Sequence, residues 1–203
     1  MTQAQPLPFG TPPAPGFADA VTRSQQVFRA ALQALAHPGS LQPLDGGCGV
    51  PPGLSPGMTA MLLALADVDA PVWLPPGVDD AVRQFLRFHC GCPLVDEPSR
   101  ARFAAVPAGH EAPALDRCHP GDPAYPDTST TLLLEVESLD DGAAVTLAGP
   151  GIATQRPLRV AGLPADFWAQ WRANHRIFPL GVDVFLVQGN RLCGLPRTVL
   201  AEG

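Results

Sequence analysis

Two thiols and an imidazole stand together at His89-Cys90-Gly91-Cys92. Such a group could supply a nucleophile with its base, or soft ligands for a metal. The single residue between the cysteines is shorter than usual zinc-ligand spacing, and the nearest other donors, His110, Cys118 and His119, fall in a stretch without periodicity. No metal is therefore expected, and ordinary packing of small thiols is the plainer reading. Just upstream, Arg83 and Arg87 lie four apart and so share a helix face. Their forks suit phosphate and phosphonate oxygens, although a solvated face with Asp79 against Arg83 accounts for them more simply. Asp67 and Asp69 follow a predicted helix, where carboxylates oppose the helix dipole. They are either local turn acceptors or a functional pair.

Asp183 interrupts the apolar run Val182, Val184, Phe185, Leu186, Val187, and a buried carboxylate needs a partner. Arg197 is the candidate for that structural or interface pairing. A two-residue turn at Gly189-Asn190, however, sets Asp183 opposite Pro196 and sends Arg197 to the other face unless a bulge intervenes. Gly149-Pro150-Gly151 could form a nest of backbone donors or a simple turn. Glu135 and Glu137 project on one face of a strand, read as the wet one. No nucleophile-elbow serine and no paired-histidine helix motif occurs.

The elements that must position these groups alternate between helical and extended patterns. Asp19 precedes a helix carrying Val21, Phe28, Leu32 and Leu35 on one stripe, ended by His37-Pro38-Gly39. A short strand at 40–44 follows, and Ser55-Pro56 opens a second helix through Met58, Met61, Leu62 and Leu65. Val72-Trp73-Leu74 reads as a buried strand, and Asp79 or Asp80 starts a third helix with Val82, Phe85, Leu86 and His89 on one side. Further strands are expected at 102–106, 130–137, 144–148 and 158–160, then a helix over 164–174. A hairpin of 182–187 and 191–195 closes the pattern. The stretch 107–129 is a loop, disordered or ligand-binding. This alternation predicts an α/β fold of three layers around a central mixed sheet, as one domain over 17–203 behind a proline-rich arm at 1–16.

Composition narrows the chemistry. All 13 basic residues are arginine, so the chain offers no side-chain amine for an aldimine or a P-loop. A net charge of −6 disfavours wrapping nucleic acid. Five cysteines are too few and too irregular for a disulfide framework, and no segment reads as a secretory signal or a membrane span. A cytoplasmic protein is expected. The residues alone leave function undetermined, with a thiol- or metal-dependent hydrolase using His89, Cys90 and Cys92 and a non-catalytic small-anion binding module both open.

Several stretches, in order, resemble the PhnH family, a subunit of the bacterial phosphonate carbon-phosphorus lyase system. They are Phe28-Arg29-Ala30-Ala31-Leu32 with His37-Pro38-Gly39; Leu65-Ala66-Asp67-Val68-Asp69-Ala70-Pro71-Val72-Trp73-Leu74; and Leu86-Arg87-Phe88-His89 with Pro93-Leu94-Val95. Gly149-Pro150-Gly151-Ile152 and Phe178-Pro179-Leu180-Gly181-Val182-Asp183, through to Pro196-Arg197-Thr198, complete the set. The resemblance implies a fold related to pyridoxal-phosphate-dependent transferases but without that cofactor. It implies a homodimer in isolation and partners of the PhnG, PhnI and PhnJ types. The implied role is in forming α-D-ribose 1-methylphosphonate 5-triphosphate from ATP and methylphosphonate with loss of adenine, as a transferase subunit inactive alone. Such a displacement needs groups that orient anions and one that handles a proton. The residues to test are Arg87 and Arg197 for binding, and His89, Asp67 and Asp69 for catalysis.

Overall fold

The computed structural model describes residues 12–44 and 46–202. Helix α1 (Ala20–Ala36) begins where the Asp19 carboxylate accepts from Thr22 N–H at 3.1 Å. Side-chain oxygens at the cap satisfy donors that have no partner within the helix. The buried face of α1 is Val27, Ala31 and Ala34, whereas Val21, Phe28 and Leu32 of the expected stripe are exposed. The reason is backbone proximity: a Cβ on Gly194 would stand 2.5 Å from the Ala34 carbonyl carbon, so only small residues fit between this helix and the sheet.

Strand β1 (Leu41–Pro43) leads to α2 (Pro56–Leu65), capped by Ser55 and started by a proline whose missing N–H costs nothing there. Then come β2 (Val72–Trp73), α3 (Asp80–His89), β3 (Leu94–Val95) and β4 (Phe103–Val106). Asp79 caps α3 through Ala81 N–H at 2.8 Å. The second half supplies β5 (Thr131–Glu135), β6 (Ala144–Ala148), β7 (Arg156–Arg159), α4 (Phe167–Arg176), β8 (Asp183–Gln188), β9 (Arg191–Leu195) and β10 (Leu200–Glu202). Strands β3 and β10 were not expected from the sequence; each is only two or three residues long, too short to show a period.

The principal sheet is mixed, in the order β1-β9-β8-β5-β4-β2-β3. Strands β3, β2, β4, β5 and β8 run parallel, β9 returns antiparallel beside β8, and β1 pairs antiparallel with β9 and so points the same way as the parallel set. Alternation along the central strands divides the core in two. Leu133, Phe185 and Val187 pack toward α1, α2 and α3. Leu132, Leu134, Val184 and Leu186 pack toward α4 and a small sheet of order β10-β6-β7. The result is the expected α/β layering around a mixed sheet. The 107–129 stretch is ordered: Leu115 and Cys118 enter the core, and short 3₁₀ turns form at Leu115–Arg117 and Pro126–Thr128.

Of the proline-rich arm, residues 12–16 are described and lie on the protein itself. The Pro15 carbonyl accepts from Gly49 N–H at 2.8 Å, and the Ala14 carbonyl lies 2.8 Å from His89 Nε2. Residues 1–11 fall outside the described part. Among the described residues no helix is long and apolar enough to cross a membrane.

Candidate functional site

The parallel strands give the sheet two chemically different ends. At the amino end, β8 starts with Asp183 and the chain leaves β9 at Leu195. Because Arg197 lies beyond the last paired residue, strand parity no longer governs its direction, and it turns back onto Asp183. Asp183 Oδ1 accepts from Arg197 N–H at 2.7 Å and from Nε at 3.2 Å, and Oδ2 accepts from Nη2 at 2.6 Å. Nη2 also donates to Ser129 Oγ, and Nη1 donates to the carbonyls of Pro126 and Pro179. All five guanidinium hydrogens therefore have protein acceptors, so gripping a ligand would break one of these bonds. Arg197 is 9% exposed, and the pair lines an open depression of about 500 Å³ with Phe178 and Thr198 on its wall.

Beside it, beneath the amino ends of β2, β4 and β5, lies a second depression of about 470 Å³ lined by Asp69, Ser99, Arg100, Arg102, His119 and Thr128. Arg102 uses Nη1 on the Asp127 carbonyl at 2.7 Å, which fixes the turn before β5. His119 Nδ1 accepts from Gly121 N–H at 3.0 Å, leaving Nε2 as the ring's donor. The Arg100 guanidinium makes no hydrogen bond or ion pair among the described residues, its backbone N–H alone donating to the Glu97 carbonyl. The sequence reading picked out Asp69 but missed Arg100, Arg102 and His119 as a set. The alternation Ser99-Arg100-Ala101-Arg102 before a strand was the one local signal, and only the fold brings His119 to it.

The other predicted residues fall in separate settings. Asp67 is a turn acceptor: its Oδ1 takes the Asp69 N–H at 2.9 Å. His89 is half-buried, with Phe85 and Phe88 rings 4.5 and 4.8 Å from its own. Arg87 is exposed on α3. A hydrogen bond with Cys92, followed by burial, pushes the Cys90 thiol up, and the same bond lowers Cys92, which is buried out of reach of a substrate. Burial likewise raises Cys118 and Cys193 to about 12. Among the described residues no three His, Cys, Asp or Glu side chains are grouped to hold a metal. Gly149-Pro150-Gly151 is a turn pressed on α1, where a Cβ on Gly151 would stand 2.2 Å from the Ala36 carbonyl oxygen.

At the carboxyl end, a cavity of about 540 Å³ is lined by His110, Glu111, Glu135 and Glu137 over Leu134 and Val136. Glu135 is not simply a wet-face residue. Its Oε1 accepts from Ser55 N–H at 2.9 Å and its Oε2 from Ala108 N–H at 2.8 Å, tying the start of α2 to the segment after β4. A fourth space, about 420 Å³ and mostly apolar, lies between α4 and residues 114–120.

The family model for the bacterial phosphonate metabolism protein PhnH matches residues 15–202. The chain is 37% identical over 187 residues to the α-D-ribose 1-methylphosphonate 5-triphosphate synthase subunit PhnH of Rhizobium meliloti (strain 1021), covering 92% of this chain and 94% of that one. It is 30% identical over 180 residues to HtxG of Stutzerimonas stutzeri, which carries the name of a C-P lyase subunit protein, covering 87% and 84%. With its sequence matched almost end to end, the chain belongs to the PhnH family of bacterial phosphonate metabolism proteins.

Proposed function

We propose that this protein is a subunit of the carbon-phosphorus lyase core complex. There it supports formation of α-D-ribose 1-methylphosphonate 5-triphosphate from ATP and methylphosphonate, with release of adenine. The observation that carries the reading is near full-length similarity to a synthase subunit of that name. The chain acts in the cytoplasm with PhnG-, PhnI- and PhnJ-type partners, and forms a homodimer when isolated. Its fold is a relative of the pyridoxal-phosphate-dependent transferases that holds no such cofactor; a seven-stranded mixed sheet and a sequence without lysine support this. The chain contributes anion binding and an interface, and does not turn over substrate alone.

The hydrolase alternative is the weaker reading. Its imidazole is occupied by the Ala14 carbonyl, its Cys90 thiol is pushed up, and Cys92, which the hydrogen bond with Cys90 lowers, is buried. The test is co-expression of the tagged chain with PhnG-, PhnI- and PhnJ-type subunits, followed by size-exclusion chromatography. A stoichiometric complex is expected, and a chain that elutes by itself under all conditions would contradict the proposal.

A further inference from the structure

One depression gathers several donors that the fold leaves uncommitted. Elsewhere, Arg156 donates to the His37 and Pro38 carbonyls, Arg159 to the Gly142 carbonyl, Arg191 to Asp140, and Arg197 to the acceptors already described. In the depression below β2, β4 and β5, Arg100 has its whole fork available and Arg102 has committed one nitrogen. His119 keeps Nε2–H as a donor, and Ser99 adds a hydroxyl. The Thr128 hydroxyl already donates to the Tyr125 carbonyl at 2.7 Å, so it serves as wall. Asp69 is the one carboxylate facing this space.

Two chain segments, 99–102 and the one carrying His119, thus converge with two guanidiniums, an imidazole N–H and a hydroxyl. Planar forks bind tetrahedral oxyanions through paired hydrogen bonds, and delocalised cations sacrifice little hydration in doing so. We infer that this depression binds a terminal PO₃ group, with Arg100 as its principal grip, Arg102 and His119 as flanking donors, and Asp69 as a counter-charge that keeps affinity moderate. The shared ligand chemistry has two sources, an alkylphosphonate or the phosphate tail of a nucleoside triphosphate. The site stands on the side chains; only the choice of these two ligands rests on the proposed function.

The test is calorimetric titration of the full-length isolated chain with methylphosphonate, ATP and inorganic phosphate in separate arms. Saturable binding is expected for at least one of the first two, and the tighter arm identifies the source. Arg100→Ala should weaken that binding about tenfold, and Arg100→Ala with Arg102→Gln should abolish it. Asp69→Asn should tighten it about threefold, a gain that a merely unfolded variant could not produce. Arg172→Ala, on the exposed side of α4, should leave it unchanged. The inference is overturned if the wild-type chain binds none of the three, or if the double variant binds as well as wild type with an unaltered thermal melt. If the chain fails to join the complex yet binds a PO₃ group through Arg100, the subunit role falls and this site stands.

Discussion

The two ends of the parallel strands are closed by charged side chains of opposite sign. At the carboxyl end the Glu135 carboxylate gathers two backbone N–H groups from separate segments. At the amino end the Arg197 guanidinium gathers backbone carbonyls, a hydroxyl and a carboxylate. Each is a tie that leaves backbone groups satisfied where the sheet stops. The difference lies in what remains over: Glu111 and Glu137 beside one tie, Arg100 and Arg102 beside the other. Open α/β sheets ordinarily bind ligands outside the carboxyl ends of their strands. Here the sign of the charge points a phosphorus oxyanion to the opposite end, so electrostatics outweighs the topological habit.

The largest effect should come from breaking the amino-end tie. Asp183→Ala strands a guanidinium that is largely buried and should cost about 3–5 kcal/mol of stability, measured by urea unfolding. Next, Glu135→Ala should cost about 1–3 kcal/mol, because the Ser55 and Ala108 N–H groups lose their acceptor. That variant should keep PO₃ binding unchanged in calorimetry; a change would mean the two ends are coupled.

A smaller effect is a pH dependence set by thiols rather than by either end. Cys118 and Cys193 sit near 12 when folded against an ordinary value of 9.0. Their contribution is complete below pH 9 and is lost between that value and about 12, since the unfolded chain releases those protons first. Unfolding midpoints followed across that range should therefore fall as pH rises, and alkylation of both thiols at pH 8 should be slow. Smallest of all, the Asp140–Arg191 pair is exposed, and Asp140→Asn should leave the urea midpoint unmoved.

Local physics was legible in the sequence. Asp19, Ser55 and Asp79 announce helices because a cap needs nothing beyond three residues of chain. The hairpin at Gly189-Asn190 is visible for the same reason. The buried face of α1 was not legible: the large apolar stripe looked like core, but close backbone approach at Gly194 selected the alanines. Asp183 and Arg197 could be named as partners but not paired, because parity arguments end where β9 does. Arg100 and His119 are nineteen positions apart on irregular segments, and only strand order brings them to one wall.

The most direct measurement is adenine release from ATP and methylphosphonate by an assembly that contains the PhnG-, PhnI- and PhnJ-type proteins, with this chain present or omitted. The account predicts that omission sharply reduces release and that adding the purified chain restores it. Release at an undiminished rate without the chain would contradict it.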